Sequence, residues 1–174
     1  MIRTTLFFVV CVAFVSSALG QSSIGTWSFQ VEDTDTSREK RIAYTSALSD
    51  DDGAVPAMLE IRRLQAKAPM DLVVTVHPGV DETNCEYGEW ELTIDAKVIP
   101  VKSFSIAPVS AILVPGKDLD ENQFWKPFIK GNSLMIRAGR KCEGIFGKQE
   151  FETYTFSLYG SAAAHKFVLD NSKR

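Results

Sequence analysis

Residues 150–169 read Glu-Phe-Glu-Thr-Tyr-Thr-Phe-Ser-Leu-Tyr-Gly-Ser-Ala-Ala-Ala-His-Lys-Phe-Val-Leu. In the first half, Tyr154, Phe156 and Leu158 recur with a period of two. That puts them on the buried face of a strand, with the other face drawn from Glu152, Thr153, Thr155 and Ser157. Gly160 ends the pattern. Ser161 is the expected cap of a short helical turn running through Ala162 to Leu169. A strand followed by a short helix, after a chain full of strands, closes a β-rich domain and is not an active site.

The rest of the chain supports that reading. Residues 24–31 form one strand with Trp27, Phe29 and Val31 on a common face, and the charged stretch 32–40 is a loop or the start of a hydrophilic strand. Residues 41–48 carry Ile42, Tyr44 and Leu48 in a second strand. The turn Asp50-Asp51-Asp52-Gly53 follows. Pro56 and Pro69 bracket an apolar run over 57–64, and 71–77 is rich in β-branched residues. Trp90, Leu92 and Ile94 alternate with Glu91, Thr93 and Asp95. Asp95-Ala96-Lys97 is then a tight connection to 98–106, where Pro100 implies an edge or a bulge. A short strand at 110–114 precedes a helix over 118–129, whose leading acids suit a helix N-terminus and which Pro127 keeps short. Leu134 and Ile136 mark another strand, and 139–147 is a glycine-rich basic connection. Eight to ten strands, two short helices and no internal repeat predict a mainly β fold, a single antiparallel β-sandwich over 21–174.

Residues 1–20 have the form of a signal peptide. Arg3 supplies the positive region, residues 6–15 an apolar run of about ten, and Ser16 to Gly20 the small residues before a cut at Gln21. Such a run is too short to span a bilayer, which needs about twenty residues. The expected mature chain therefore has no transmembrane segment and is periplasmic or secreted. It carries 18 basic and 22 acidic residues, a formal charge of −4 once Arg3 is removed, which argues against nucleic acid as a partner. Cys11 leaves with the signal, so Cys85 and Cys142 are expected to form one disulfide closing a loop of nearly sixty residues.

The order of several motifs resembles the invasion-associated locus B family of bacterial periplasmic proteins. They are Trp27, the strand Leu59-Glu60-Ile61, the hairpin Leu92-Thr93-Ile94-Asp95-Ala96-Lys97, the helix-to-strand passage 124–134, and Phe156-Ser157-Leu158-Tyr159-Gly160 with its Ala-rich turn. Ala96 stands where that hairpin has glycine. The resemblance implies a β-sandwich of the periplasm or outer envelope linked to host-cell invasion. It brings no catalytic residue.

No set of residues assembles a catalytic or metal site on spacing alone. Asp118-x-Asp120-x-Asn122 imitates the start of a calcium loop but has Gln123 and Ile129 at the diagnostic places. His77 and His165 lack ligand spacing, and Gly160-Ser161 lacks the flanks of a nucleophile elbow. No catalytic residue, metal or cofactor is expected. The surface that stands out is the pair of segments carrying the cysteines, the acidic 81–89 and the basic 137–148. Arg140, Lys141, Ile145 and Phe146 are the candidate binding residues on a tip held by the Cys85–Cys142 bridge. The competing reading folds Phe146 into the core. The expectation is a non-enzymatic exported protein that binds an envelope or host protein. Two alternatives remain: a secreted inhibitor or small-ligand carrier built around an apolar cavity, and an envelope hydrolase using carboxylates of a sheet face such as Glu89, Glu91 and Asp95.

Overall fold

In a computed structural model the chain is described over residues 22–34, 38–48, 56–63, 69–77, 85–117, 119–142 and 150–170. The segment read as one strand over 24–31 is a hairpin, β1 (Ser22–Ile24) and β2 (Trp27–Thr34). It turns on two residues, Gly25 and Thr26, between the paired Ile24 and Trp27. Gly25 takes φ +66°, and a Cβ there would lie 2.4 Å from the Tyr159 carbonyl oxygen. Glycine is needed on both counts. The polar stretch after Val31 extends the sheet, with β3 (Arg38–Ser46) pairing back along β2 to Thr34.

The expected strands follow as β4 (Ala57–Arg63), β5 (Asp71–Val76) and β6 (Cys85–Ile94). Pro100 separates β7 (Lys97–Ile99) from β8 (Val101–Ala107). Having no N–H to give a ladder, proline is suited to the point where the chain leaves one sheet for the other. Then come β9 (Ser110–Pro115), α1 (Glu121–Lys130), β10 (Ser133–Cys142), β11 (Glu150–Ser157) and α2 (Ser161–Leu169). The connection expected to begin at Gly139 starts later, because β10 keeps its pairing to β6 as far as Cys142.

Among the described residues the strands form two antiparallel sheets, one ordered β1-β2-β3-β4-β5-β9-β8 and the other β11-β10-β6-β7. The architecture is thus mainly β and sandwich-like. Both pieces of the chain around Pro100 are edge strands, β7 of one sheet and β8 of the other. Among the described residues, backbone hydrogen bonds that tie the two sheets and their flanking turns together include Thr26 N–H to the Tyr159 carbonyl (3.3 Å), Leu48 N–H to the Thr155 carbonyl (2.7 Å) and Tyr87 N–H to the Pro108 carbonyl (2.8 Å).

The core follows from the alternation. Leu59, Ile61, Leu72, Val74 and Leu113 come from the larger sheet and Leu92, Ile94, Leu134, Ile136 and Phe156 from the smaller, all almost fully buried. Each such side chain contributes about 1.5–3 kcal/mol of transfer free energy. The helices close one part of this core. Phe128 of α1 meets Trp27 edge-on at 5.8 Å, and Phe167 of α2 meets Phe29 at 5.0 Å.

The acids before α1 have a structural role. Asp120 is the N-cap, its carboxylate accepting the Gln123 N–H at 2.7 Å while the Gln123 side chain accepts the Asp120 N–H, a capping box. At α2 the expected Ser161 cap is replaced by Gly160, with φ 98° and no side chain. Ser161 is the first helical residue. It is buried, and its hydroxyl donates to the Phe128 carbonyl at 2.9 Å, which the end of α1 leaves free. The hydroxyl therefore ties the two helices together.

The β6–β7 connection is a two-residue turn between Ile94 and Lys97, with Asp95 at φ 46° and Ala96 at φ 65°. Two left-handed residues make the hairpin turn whose twist matches the strands, normally Asn-Gly or Asp-Gly. Asp95 is further held by accepting the N–H groups of Asn132 and Ser133. Ala96 has no such compensation and its methyl group disfavours this conformation. Ala96→Gly is therefore expected to stabilise the fold by about 0.5–1 kcal/mol, read as a higher midpoint in urea at unchanged slope. A lower midpoint would contradict the assigned turn.

Candidate functional site

The two cysteines lie at one end of the smaller sheet. They sit in strands rather than in loops, opposite each other in the β6–β10 register, and are joined by a disulfide across 57 residues of sequence. Cys85 is buried and Cys142 half-buried.

Next to the bridge, towards the core, is a polar network. Arg140 pairs with Tyr87 on β6 and Glu150 on β11, and its guanidinium bonds the carboxylates of Glu150 and Glu152, each at 2.6 Å. The Tyr87 hydroxyl donates to Glu152 at 3.2 Å, and the Tyr154 hydroxyl makes a short hydrogen bond to the same carboxylate. Burial, and then the bond to Glu152, push the Tyr154 hydroxyl well above its ordinary pKa. It remains a neutral donor. Glu152 lies on the face of Tyr154, not on the outward face where the sequence reading put it, because a period of two gives residues 150, 152 and 154 a common side. The network satisfies charges that would otherwise be costly to bury.

On the opposite, solvent face the register aligns different residues. A bulge sets Glu89 and Trp90 of β6 against Ala138 of β10, with Glu89 at φ 50°. Beyond it, Gly88 faces Gly139, which in turn faces Phe151. A Cβ on Gly88 would meet nothing within 4 Å, whereas Gly139 beside it is buried, and the row ends at the Phe151 ring. Arg137 lies over that ring, its guanidinium carbon 3.7 Å from the centroid, and pairs with Glu91 at 2.9 Å. The next row aligns Thr155, Met135, Thr93 and Val98. Phe151 is 43 % exposed, Met135 40 % and Val98 66 %. Methionine, phenylalanine and arginine on one flat, open face is the composition of protein contact surfaces.

The structure thus divides the expected binding residues. Arg140 turns inward to the two glutamates, whereas Lys141 is exposed on the outer side, opposite Glu86. Ile145 and Phe146 lie outside the described residues, as do the acidic turn at 50–53 and the signal segment 1–20. Of the surface acids considered for hydrolysis, Glu91 is held by Arg137 and Asp95 by backbone N–H groups. His77 is exposed, and His165 packs beside Trp125 between the helices. Among the described residues no group of three or more His, Cys, Asp or Glu could hold a metal ion, and no helix is long and apolar enough to cross a membrane.

The outer face was missed in the sequence. Its signal was present, since the parity that buries Tyr154 and Phe156 turns Phe151 outward. The bulge in β6 could not be read, and it decides which glycines meet. No family model, curated protein or solved structure matches the chain.

Proposed function

We propose that this chain is an exported envelope protein that works by binding another protein and not by catalysis. It is an accessory factor in the contact with a host cell, as the resemblance to the invasion-associated locus B family implies. The observation that carries this reading is the outer face of the smaller sheet, where Phe151, Met135 and Val98 are open to solvent around the Arg137–Glu91 pair. A surface of this kind binds best when ordering it costs little. Here the strands are held by the disulfide on one side and by the Asp95 contacts on the other. Lys141 and Glu86 extend the same face towards the two cysteine-bearing segments.

The test is a photo-crosslinking residue placed at Met135 in the producing cell, compared with one at Phe104 on the exposed edge strand β8. A discrete crosslinked partner from Met135 and none from Phe104 is expected. Met135→Asp with Val98→Asp should lower host-cell entry at least ten-fold without changing the amount of exported protein. Entry unchanged in a strain lacking the chain altogether would overturn the role. A partner crosslinked only from Phe104 would overturn the face.

A further inference from the structure

A concave surface lies away from this sheet face, where α1 and α2 meet the ends of β4 and β5. It is a cleft of about 420 Å³, open to solvent, within the size range of small-molecule sites. Its apolar lining comes from Met70, Trp125, Ile129 and Leu169, and its charged lining from Arg63, Lys126, Lys130 and Glu121. Lys126 and Lys130 therefore stand beside a single lining acid, Glu121, on a chain whose overall formal charge is −3. The carboxylate of Glu121 already accepts the Met70 N–H at 3.5 Å. Lys126 and Lys130 are both exposed.

Two further groups complete the lining. Trp125 is 3 % exposed, and its indole N–H has no acceptor among the described residues, although buried donors are ordinarily paired. Its ring lies 5.3 Å from that of His165. Burial lowers the pKa of His165, against the opposing pull of Glu121, so the imidazole is neutral at pH 7 and the positive charge offered here is that of Lys126 and Lys130. An apolar wall beside two exposed lysines is not suited to a metal ion, a sugar or a neutral hydrocarbon.

We infer that the cleft between the two helices binds a small amphipathic carboxylate. Its apolar body lies against Trp125, Met70, Ile129 and Leu169, and its carboxylate is held by Lys126 and Lys130. This reading stands apart from the protein-binding face of the smaller sheet. Neither depends on the other.

The experiment follows the Trp125 indole N–H signal by NMR in the oxidised protein, the signal being assigned with Trp125→Phe. The probes are phenylacetate, its neutral analogue phenylacetamide, and inorganic phosphate, at pH 7 and constant ionic strength. Phenylacetate should shift the signal saturably with a Kd of about 1 mM, as expected for a ligand of its size. The amide and phosphate should each bind at least ten-fold more weakly. Lys126→Ala with Lys130→Ala, both on the exposed side of α1, should weaken phenylacetate at least ten-fold while leaving the thermal midpoint in place. Equal binding of the amide would overturn the anionic part of the inference, and equal binding of phosphate the apolar part. Undiminished binding by the lysine variant would remove the assigned contacts. Absence of any saturable shift would overturn the site.

Discussion

Replacing Cys85 and Cys142 together by alanine is expected to lower the stability of the fold by about 4 kcal/mol. The magnitude comes from the unfolded chain. The bridge closes 57 residues, and in the loop-closure model the entropy removed from the unfolded state grows with the logarithm of that length. The native state loses little in return. The two residues face each other in an antiparallel register that continues for several pairs on the same strands, so β6 and β10 remain paired without the sulfur atoms. For a domain of this size the loss should appear as a fall of roughly 8–16 °C in the thermal midpoint. Reduction of the wild-type protein should reproduce it. A fall under about 3 °C in both would show that the unfolded chain is already constrained, and the bridge would then have to be explained by its place beside the face proposed to bind.

Much of this arrangement was legible in the residues. Wherever one face of a strand is buried, period two identifies it, and Leu92, Ile94, Leu134, Ile136, Tyr154 and Phe156 all point as the alternation requires. The acids ahead of α1 marked its N-terminus, though not which of them, Asp120, would cap it, and the cysteine count implied the bridge. The features that escaped depend on pairing between distant segments. Nothing near Gly25 shows that Tyr159 will pack against it and demand a turn there. Nor does the β10 sequence reveal that Gly139 continues a strand, since glycine is ordinarily weak in a strand interior and here is supported by neighbours on both sides. The Gly88–Gly139–Phe151 row and the cleft between the helices share this property. Each is assembled from pieces far apart in the chain, and each follows from register and packing rather than from a local pattern.

The guanidinium of Arg140 presents the sharpest energetic case in the molecule. Arg140→Leu is expected to cost about 3 kcal/mol at pH 7, the lower part of the range for breaking a buried ion pair. The arginine side chain is 15 % exposed and Glu152 27 %, whereas Glu150, at 52 %, is screened by water and contributes little. Loss of the cation leaves Glu152 charged and partly buried, with the hydroxyls of Tyr87 and Tyr154 as its remaining donors among the described residues. The penalty is thus that of an unpaired charge rather than of a missing contact. Adding Glu152→Gln to the variant removes the stranded charge and should restore at least half of the loss, a coupling of about 1–3 kcal/mol in a double-mutant cycle. Glu150→Gln in the same background should restore much less. Equilibrium unfolding in urea measures all of these on one scale. A cost below about 1 kcal/mol for Arg140→Leu, or equal rescue by the two glutamine substitutions, would mean that water reaches the network. The end of the sheet beside the disulfide would then be a solvated surface and not a rigid support for the face proposed to bind.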